Sequence, residues 1–148
     1  MINYWIFGFI LPWLLLILFF RVNLKLVIIM APFVSVVAFV LNEIGFNNFW
    51  DFIPRFKNIS LSSLPLNLGL YPVLGCLLVY SLQLSTRKPV VWMVFYGLIT
   101  TGMEYVALVA KYIFYYNGWN IFHTFLSYLL AYILVFFYYK VMVRYDVL

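Results

Sequence analysis

The chain has 148 residues, of which 68% are hydrophobic, 23% aromatic and only 9% charged, with a formal net charge of +5. Soluble domains are about 25% charged and about 45–50% apolar, and so short a chain has no way to hide this much apolar surface from water. A water-soluble fold is excluded, and so is a nucleic-acid binder, because the nine Lys and Arg residues stand in ones and twos at the ends of apolar runs and form no basic stripe.

The remaining class is a protein whose solvent is lipid. A bilayer core takes about 20 apolar residues as helix, and five segments qualify. The first runs from Ile2 to Phe20. No Lys or Arg precedes it and no A-x-A site follows, so it reads as a retained span and not as a cleaved signal peptide. The second, about Leu26 to Leu41, carries Ala31, Ser35 and Ala38 on a small-residue face that permits close helix approach. The third covers about Leu64 to Leu84, where Pro65 and Pro72 are placed to kink the helix and free backbone carbonyls near Tyr71. The fourth runs from Val90 to about Tyr112, and the fifth from Ile121 to Tyr139. Two-residue alternation does not recur at the spacing of a barrel. The expected fold class is therefore all-α, a polytopic membrane helix bundle with five transmembrane helices in a single domain.

Charge suggests an orientation. With the N-terminus outside and the C-terminus cytoplasmic, Arg21, Lys25, Arg87, Lys88, Lys140 and Arg144 face the cytoplasm. Arg55, Lys57 and Lys111 then lie outside, and the opposite orientation reverses this positive-inside bias. The expected location is the plasma membrane. The one long connection, residues 43–63, becomes an outer loop with Phe46, Phe49, Trp50, Phe52, Ile53 and Phe56 among Asn47, Asn48, Asp51, Arg55 and Lys57. Such a mixture favours the headgroup zone and predicts a short helix lying flat there, broken at Pro54. It serves either as an anchored connector or as a lid over a cavity.

Within the fourth segment stands Glu104, in a run apolar enough to lie in lipid, where an ionised carboxylate is costly. It precedes Lys111 by seven residues, which puts it roughly 10 Å below the outer boundary at about 1.5 Å per residue. Tyr71, Pro72, Ser35 and Ser127 come at about the same level, with His123 and Asn67 shallower. Gly97, Thr101, Glu104, Leu108, Lys111 and Tyr115 follow helical spacing, and Thr100 is also one turn from Glu104. The candidate polar pocket is Glu104, Tyr71, Thr100, Thr101, His123 and Ser127, with the Tyr71 hydroxyl, His123 and the two threonines expected to satisfy the carboxyl. Three readings of Glu104 are open: a structural polar anchor, a binder of a proton, cation or cationic ligand, and a contact to a partner membrane protein.

LGLYPVLGCLLVY puts a Tyr-Pro pair in an apolar helix, and MEYVALVAKYIFYYNGWNIF follows with Glu-Tyr and then Trp-Asn fifteen residues after the glutamate. This pattern, over roughly Asn67 to Arg144, resembles a family of small multi-pass membrane proteins of unknown function from spore-forming Gram-positive bacteria. The positions that match are Tyr71, Pro72, Glu104, Tyr105, Tyr116, Trp119 and Asn120. The resemblance implies a fold and a setting but no reaction. Between the glutamate and Trp-Asn, where members carry further charged residues, this chain has Leu108, Lys111 and Tyr112.

No catalytic constellation is legible. There is one His, one Cys, no H-E-x-x-H, no G-x-S-x-G and no phosphate-cradling glycine loop. Cys76 reads as a small buried hydrophobe. No cofactor and no metal is implied. The functional expectation is a non-catalytic accessory, or a small-ligand or lipid-binding component of the cell envelope. The alternative is a small proton- or cation-coupled transporter or channel subunit using Glu104. The lipid bilayer is the required partner, with another membrane protein or a second copy of the chain as further candidates.

Overall fold

The structure, a computed structural model, describes residues 2–20, 22–46, 48–53 and 55–148, with the backbone alone at 2, 3, 19 and 20. Arg21 of the cytoplasmic charge set, Asn47 of the loop and Pro54, the expected loop breaker, lie outside the described residues. The rest is mostly helical and forms a helix bundle. Helix α1 covers residues 2–20, α2 is Leu24–Gly45, α3 is Leu66–Leu84, α4 is Pro89–Val109 and α5 is Ile121–Arg144. Helices α2 to α5 are long and apolar enough to cross a membrane, whereas the apolar stretch of α1, Ile6–Leu18, is shorter. Wide turns at Ile6–Ile10 and Leu16–Phe20 put more residues into each turn and shorten α1 further. Large apolar side chains such as Phe7, Ile28, Leu98, Val106 and Phe137 point outward, as lipid-facing residues would.

The prolines act as their chemistry requires. Pro72 has no N–H to offer the carbonyl four residues back, so the Leu68 oxygen is released from the α3 ladder. Trp13 of α1 donates its indole N–H to that oxygen at 2.9 Å. The turn before Pro72, Leu66–Leu70, is wide in the same way as the turn before Pro12. Where α1 crosses α3, Gly69 lies against the backbone of Gly8 and Phe9, so close that a Cβ there would sit 2.2 Å from the Gly8 oxygen. Gly75 of α3 takes the side chain of Val34 on α2. Around these approaches Met30, Cys76, Leu78 and Val79 are fully buried in the main core.

Three helix boundaries and the loop differ from the sequence reading; α5 runs on to Arg144, beyond Tyr139. Helix α2 extends to Gly45, beyond Leu41, because Asn42 turns inward and bonds Asn67 (2.7 Å) instead of marking a surface end. Helix α4 stops at Val109 and does not reach Tyr112. Lys111 adopts a left-handed conformation (φ 62°) while its N–H bonds the Leu108 carbonyl and the Tyr112 N–H bonds that of Ala107. This is a Schellman stop made with lysine in the place usually taken by glycine. The described residues of the loop form no flat helix. Its Trp50–Phe52 segment is strand β1, antiparallel to β2, Ile113–Tyr115, with Phe52 opposite Ile113 and Trp50 opposite Tyr115. Pairing buries Phe46, Phe52 and Ile113 as a second small core, which an isolated helix on a surface could not do. The 3₁₀ turn Ile59–Ser62 completes the connection. Both connectors thus lie at one end of the bundle, the sheet end. The short link Ser85–Lys88 lies at the opposite end.

Candidate functional site

Glu104 sits on the face of α4 that meets α5. Asn120 starts α5 by accepting the N–H groups of Phe122 and His123, and this cap sets the rotation of the helix. Thr124, Tyr128 and Tyr132 then follow at four-residue intervals on one face. On α4, Tyr96, Thr100 and Glu104 repeat the same interval. The two stripes meet. Thr100 and Tyr132 share a hydroxyl pair at 2.5 Å, and Tyr128 donates to Glu104 Oε2.

Strand β2 supplies the second donor. The Schellman turn reverses the chain so that Tyr115 returns over the end of α4 and donates to Glu104 Oε1 at 2.5 Å. Thr124 Oγ1 lies 2.8 Å from the Tyr115 hydroxyl and 3.3 Å from Glu104 Oε1. A hydroxyl has one proton to give, and the shorter contact takes it. Trp119 Nε1 donates to Thr124 at 2.9 Å, and the Tyr71 and Tyr128 hydroxyls lie 3.2 Å apart. Because Tyr128 gives its proton to Glu104, Tyr71 must donate to Tyr128. Two chains of donors therefore converge on one acceptor: Trp119 to Thr124 to Tyr115 to Glu104 on one side, and Tyr71 to Tyr128 to Glu104 on the other. No Lys, Arg or His among the described residues pairs with Glu104; the ion pair found there is Arg55–Asp51 at 3.1 Å in the loop. Burial and the neighbouring Glu104 charge push the Tyr115 phenol above its ordinary range, so it stays a donor.

Beside the carboxyl is a cavity of about 50 Å³. Its polar end is lined by Glu104, Asn42, Thr124 and Ser127, its aromatic walls by Trp50, Tyr71, Tyr128 and Tyr132, and its deeper part by Val34, Ala38, Ala131 and Val135. Trp50 lies over the sheet end of this cavity, its indole N–H on Asn42 at 3.3 Å and its ring 4.9 Å from that of Trp119. A second hollow, an open cleft of about 400 Å³, lies at the opposite end and is lined by Tyr80, Ser81, Ser85, Thr86, Arg87, Trp92 and Tyr96. Among the described residues no His, Cys, Asp and Glu side chains gather where a metal ion could be held.

Of the residues expected in the pocket, Glu104, Tyr71 and Ser127 line one cavity. Tyr71 reaches the carboxyl through Tyr128 and not directly. Thr100 bonds Tyr132 and the Tyr96 carbonyl, and Thr101 bonds the Gly97 carbonyl (2.7 Å), so neither hydroxyl satisfies Glu104. His123 is exposed and packs on Trp119, 5.3 Å between ring centres, away from the cavity. Among the resemblance positions, Pro72 is buried in α3, Tyr105 is outward-facing, Trp119 and Asn120 act as described above, and the Tyr116 hydroxyl donates to the Trp50 carbonyl at 2.9 Å. Sequence reasoning missed Thr124, Tyr128 and Tyr132, and had Tyr115 on the Glu104 stripe but not as a donor to it. All three missed residues share the four-residue interval on the fifth span, so the spacing rule applied to the fourth span would have found them.

The fold and site together define a class: a helix bundle with helices of membrane-spanning length, built around one carboxyl group fed by hydroxyl donors. No protein-family model, curated protein or solved structure matches the chain.

Proposed function

We propose that this chain is a non-catalytic multi-pass protein of the plasma membrane whose pocket around Glu104 holds a small cationic or hydrogen-donating ligand. In this reading all five helices cross the bilayer, the N-terminus and the sheet end are outside, and the kinship to small multi-pass membrane proteins of spore-forming bacteria is real. The observation that carries it is the convergence of two donor chains on a carboxyl group that no cation among the described residues pairs with. Each carboxyl oxygen has two lone pairs, and Oε2 receives a single donor, so acceptor capacity remains for a ligand. Aromatic faces of Trp50, Tyr71, Tyr128 and Tyr132 around a carboxylate suit an ammonium group. The volume of about 50 Å³ suits a few water-sized groups and not an acyl chain, which favours a small ligand over a lipid.

Thermal unfolding of the detergent-purified protein in ammonium, methylammonium and tetramethylammonium chloride, against sodium chloride at equal ionic strength, tests this. At least one of these cations is expected to raise the melting temperature of the wild type, with about 2.7 kcal/mol of stabilisation at a hundredfold excess over Kd. Glu104→Gln is expected to abolish the shift. If no cation departs from sodium, or Glu104→Gln shifts equally, the reading fails.

A second reading, a proton- or cation-coupled transporter or channel subunit, is favoured by one observation: the open cleft at the opposite end approaches the same hydroxyl stripe from below.

A further inference from the structure

The two hollows are separated by very little. Tyr132 lines the Glu104 cavity and Tyr96 lines the cleft, and their rings are neighbours at 6.2 Å. Between them stands Thr100, whose hydroxyl lies 2.5 Å from that of Tyr132 and bonds the Tyr96 carbonyl at 2.7 Å. All three side chains are buried, at 5%, 8% and 2% exposure for Tyr132, Tyr96 and Thr100. On the cleft side, the Tyr96 hydroxyl pairs with Ser81 at 2.9 Å, and the cleft continues past Ser85 and Thr86 to Arg87, which are in the link between α3 and α4. On one side of this layer Tyr132 shares a cavity lining with Tyr128 and Glu104, and on the other the cleft runs to the link between α3 and α4.

We propose that the bundle is a proton path, in which Glu104 exchanges its proton with the cleft through a gate made of Tyr96, Thr100 and Tyr132. The inference rests on the reading that Glu104 is the polar centre of a membrane-embedded pocket, and it adds a route and a particle. A half-buried carboxyl in one hollow, covered by Trp50 at the sheet end and parted by a single layer of side chains from a second hollow open at the other end, is an arrangement that alternating access can use. In the closed form the Thr100 hydroxyl is committed to the Tyr96 carbonyl and the ring pair blocks the line. When the rings part, the Thr100 and Tyr132 hydroxyls can meet the Tyr96–Ser81 pair.

The transfer balances. A proton enters from water in the cleft, and each hydroxyl along the line accepts one proton as it passes on its own. The net change is one proton added to the Glu104 carboxylate and one removed from the cleft, with no hydroxyl left charged. Release toward the sheet end uses the Glu104–Tyr115 bond alone: the protonated carboxyl gives its proton to the half-buried Tyr115 hydroxyl as that hydroxyl passes its own to water, and Trp119 takes no part because an indole N–H only donates. The titratable groups around Glu104 are Tyr128 on α5, Tyr71 on α3 and Tyr115 on β2. Tyr105 on its own helix faces outward, and Lys111 is exposed beyond the helix end.

The test is proton flux in liposomes reconstituted with the full chain, with a pH-sensitive dye trapped inside and a potassium diffusion potential as the driving force. The wild type is expected to acidify the lumen faster than protein-free vesicles, and Glu104→Gln to return the rate to the protein-free level. Tyr96→Phe and Thr100→Val each remove one relay hydroxyl from the gate while leaving the cavity lining in place. Each is expected to slow the flux about tenfold, equivalent to about 1.4 kcal/mol on the barrier, and to keep the ammonium-induced thermal shift. Wild-type flux at the protein-free level overturns the path, as does an unchanged rate in both gate variants. If flux is absent while the Glu104-dependent thermal shift persists, the path alone falls. If the thermal shift is absent too, the pocket reading falls with it.

Discussion

The α2–α3 half of the bundle and the α4–α5 half are joined by different forces. Between α2 and α3 the contact is shape: Val34 fits over Gly75, and Met30, Cys76, Leu78 and Val79 are sealed from solvent. The pair's side-chain hydrogen bond, Asn42 to Asn67, lies at the sheet end. Between α4 and α5 the contact is largely hydroxyl: Thr100 with Tyr132, and Glu104 with Tyr128. In lipid, apolar surfaces gain little by meeting each other, so helices associate by close packing or by hydrogen bonds. This molecule uses one device on each side. The packed half is mainly a scaffold and lends Asn42, Tyr71 and Ser81 to the polar line. The hydroxyl half carries Glu104 and most of the groups that could handle a proton or a cation, and its bonds are individually weak enough to be remade.

Breaking the close packing on α3, at its crossing with α1, should have the largest effect. Gly69→Val would drive a side chain into the α1 backbone, where the Gly8 oxygen and the Phe9 Cα lie 2.2 and 2.4 Å from a Cβ. Backbone cannot swing aside as a side-chain tip does, and a loss of about 3 kcal/mol is expected in detergent unfolding. A melting temperature equal to that of the wild type would show that α1 is not docked on α3.

A smaller effect is expected in the hydroxyl half. Thr100→Val keeps the shape and removes one interhelical bond, which costs about 0.6–1.7 kcal/mol in a membrane bundle. A double-mutant cycle with Tyr132→Phe should then show coupling of that size. Strict additivity would mean that the two hydroxyls do not act on each other.

The smallest effect is a dependence on pH at Tyr115. An unfolded tyrosine releases its proton near pH 10, while the native phenol, held neutral by burial and by Glu104, keeps it. Its contribution to stability is complete below about pH 10 and is lost as pH rises above that value. Tyr115→Phe should therefore flatten the fall in melting temperature between about pH 9 and pH 11. An unaltered slope would place Tyr115 in water and not on the carboxyl.

The site was half legible before any coordinates. Glu104, Tyr71 and Ser127 were reached by counting depth along apolar runs, a one-dimensional measure that works because helical rise is constant. His123, at a shallower depth, and Thr101, on the same helical stripe as Glu104, do not reach the carboxyl, because neither depth nor spacing along one helix says what a neighbouring element brings to it. Tyr115 was placed on a continuous α4 stripe, and the lysine at the left-handed stop gave no warning, since glycine or asparagine is the usual signal there.

Composition and run length alone determined that this chain is a bundle of apolar helices with one carboxyl group held among them, because runs this long and apolar satisfy their backbone polar groups best as helices. Pro72 likewise announced a free carbonyl, since a missing N–H is a local fact. Only the tertiary structure decided that Trp13 would fill it, that the loop would pair as a strand with Ile113–Tyr115, and that Tyr128 and Tyr115 would be the donors to Glu104. Those outcomes depend on helix rotation and on contacts between residues far apart in the chain, and local periodicity does not encode either.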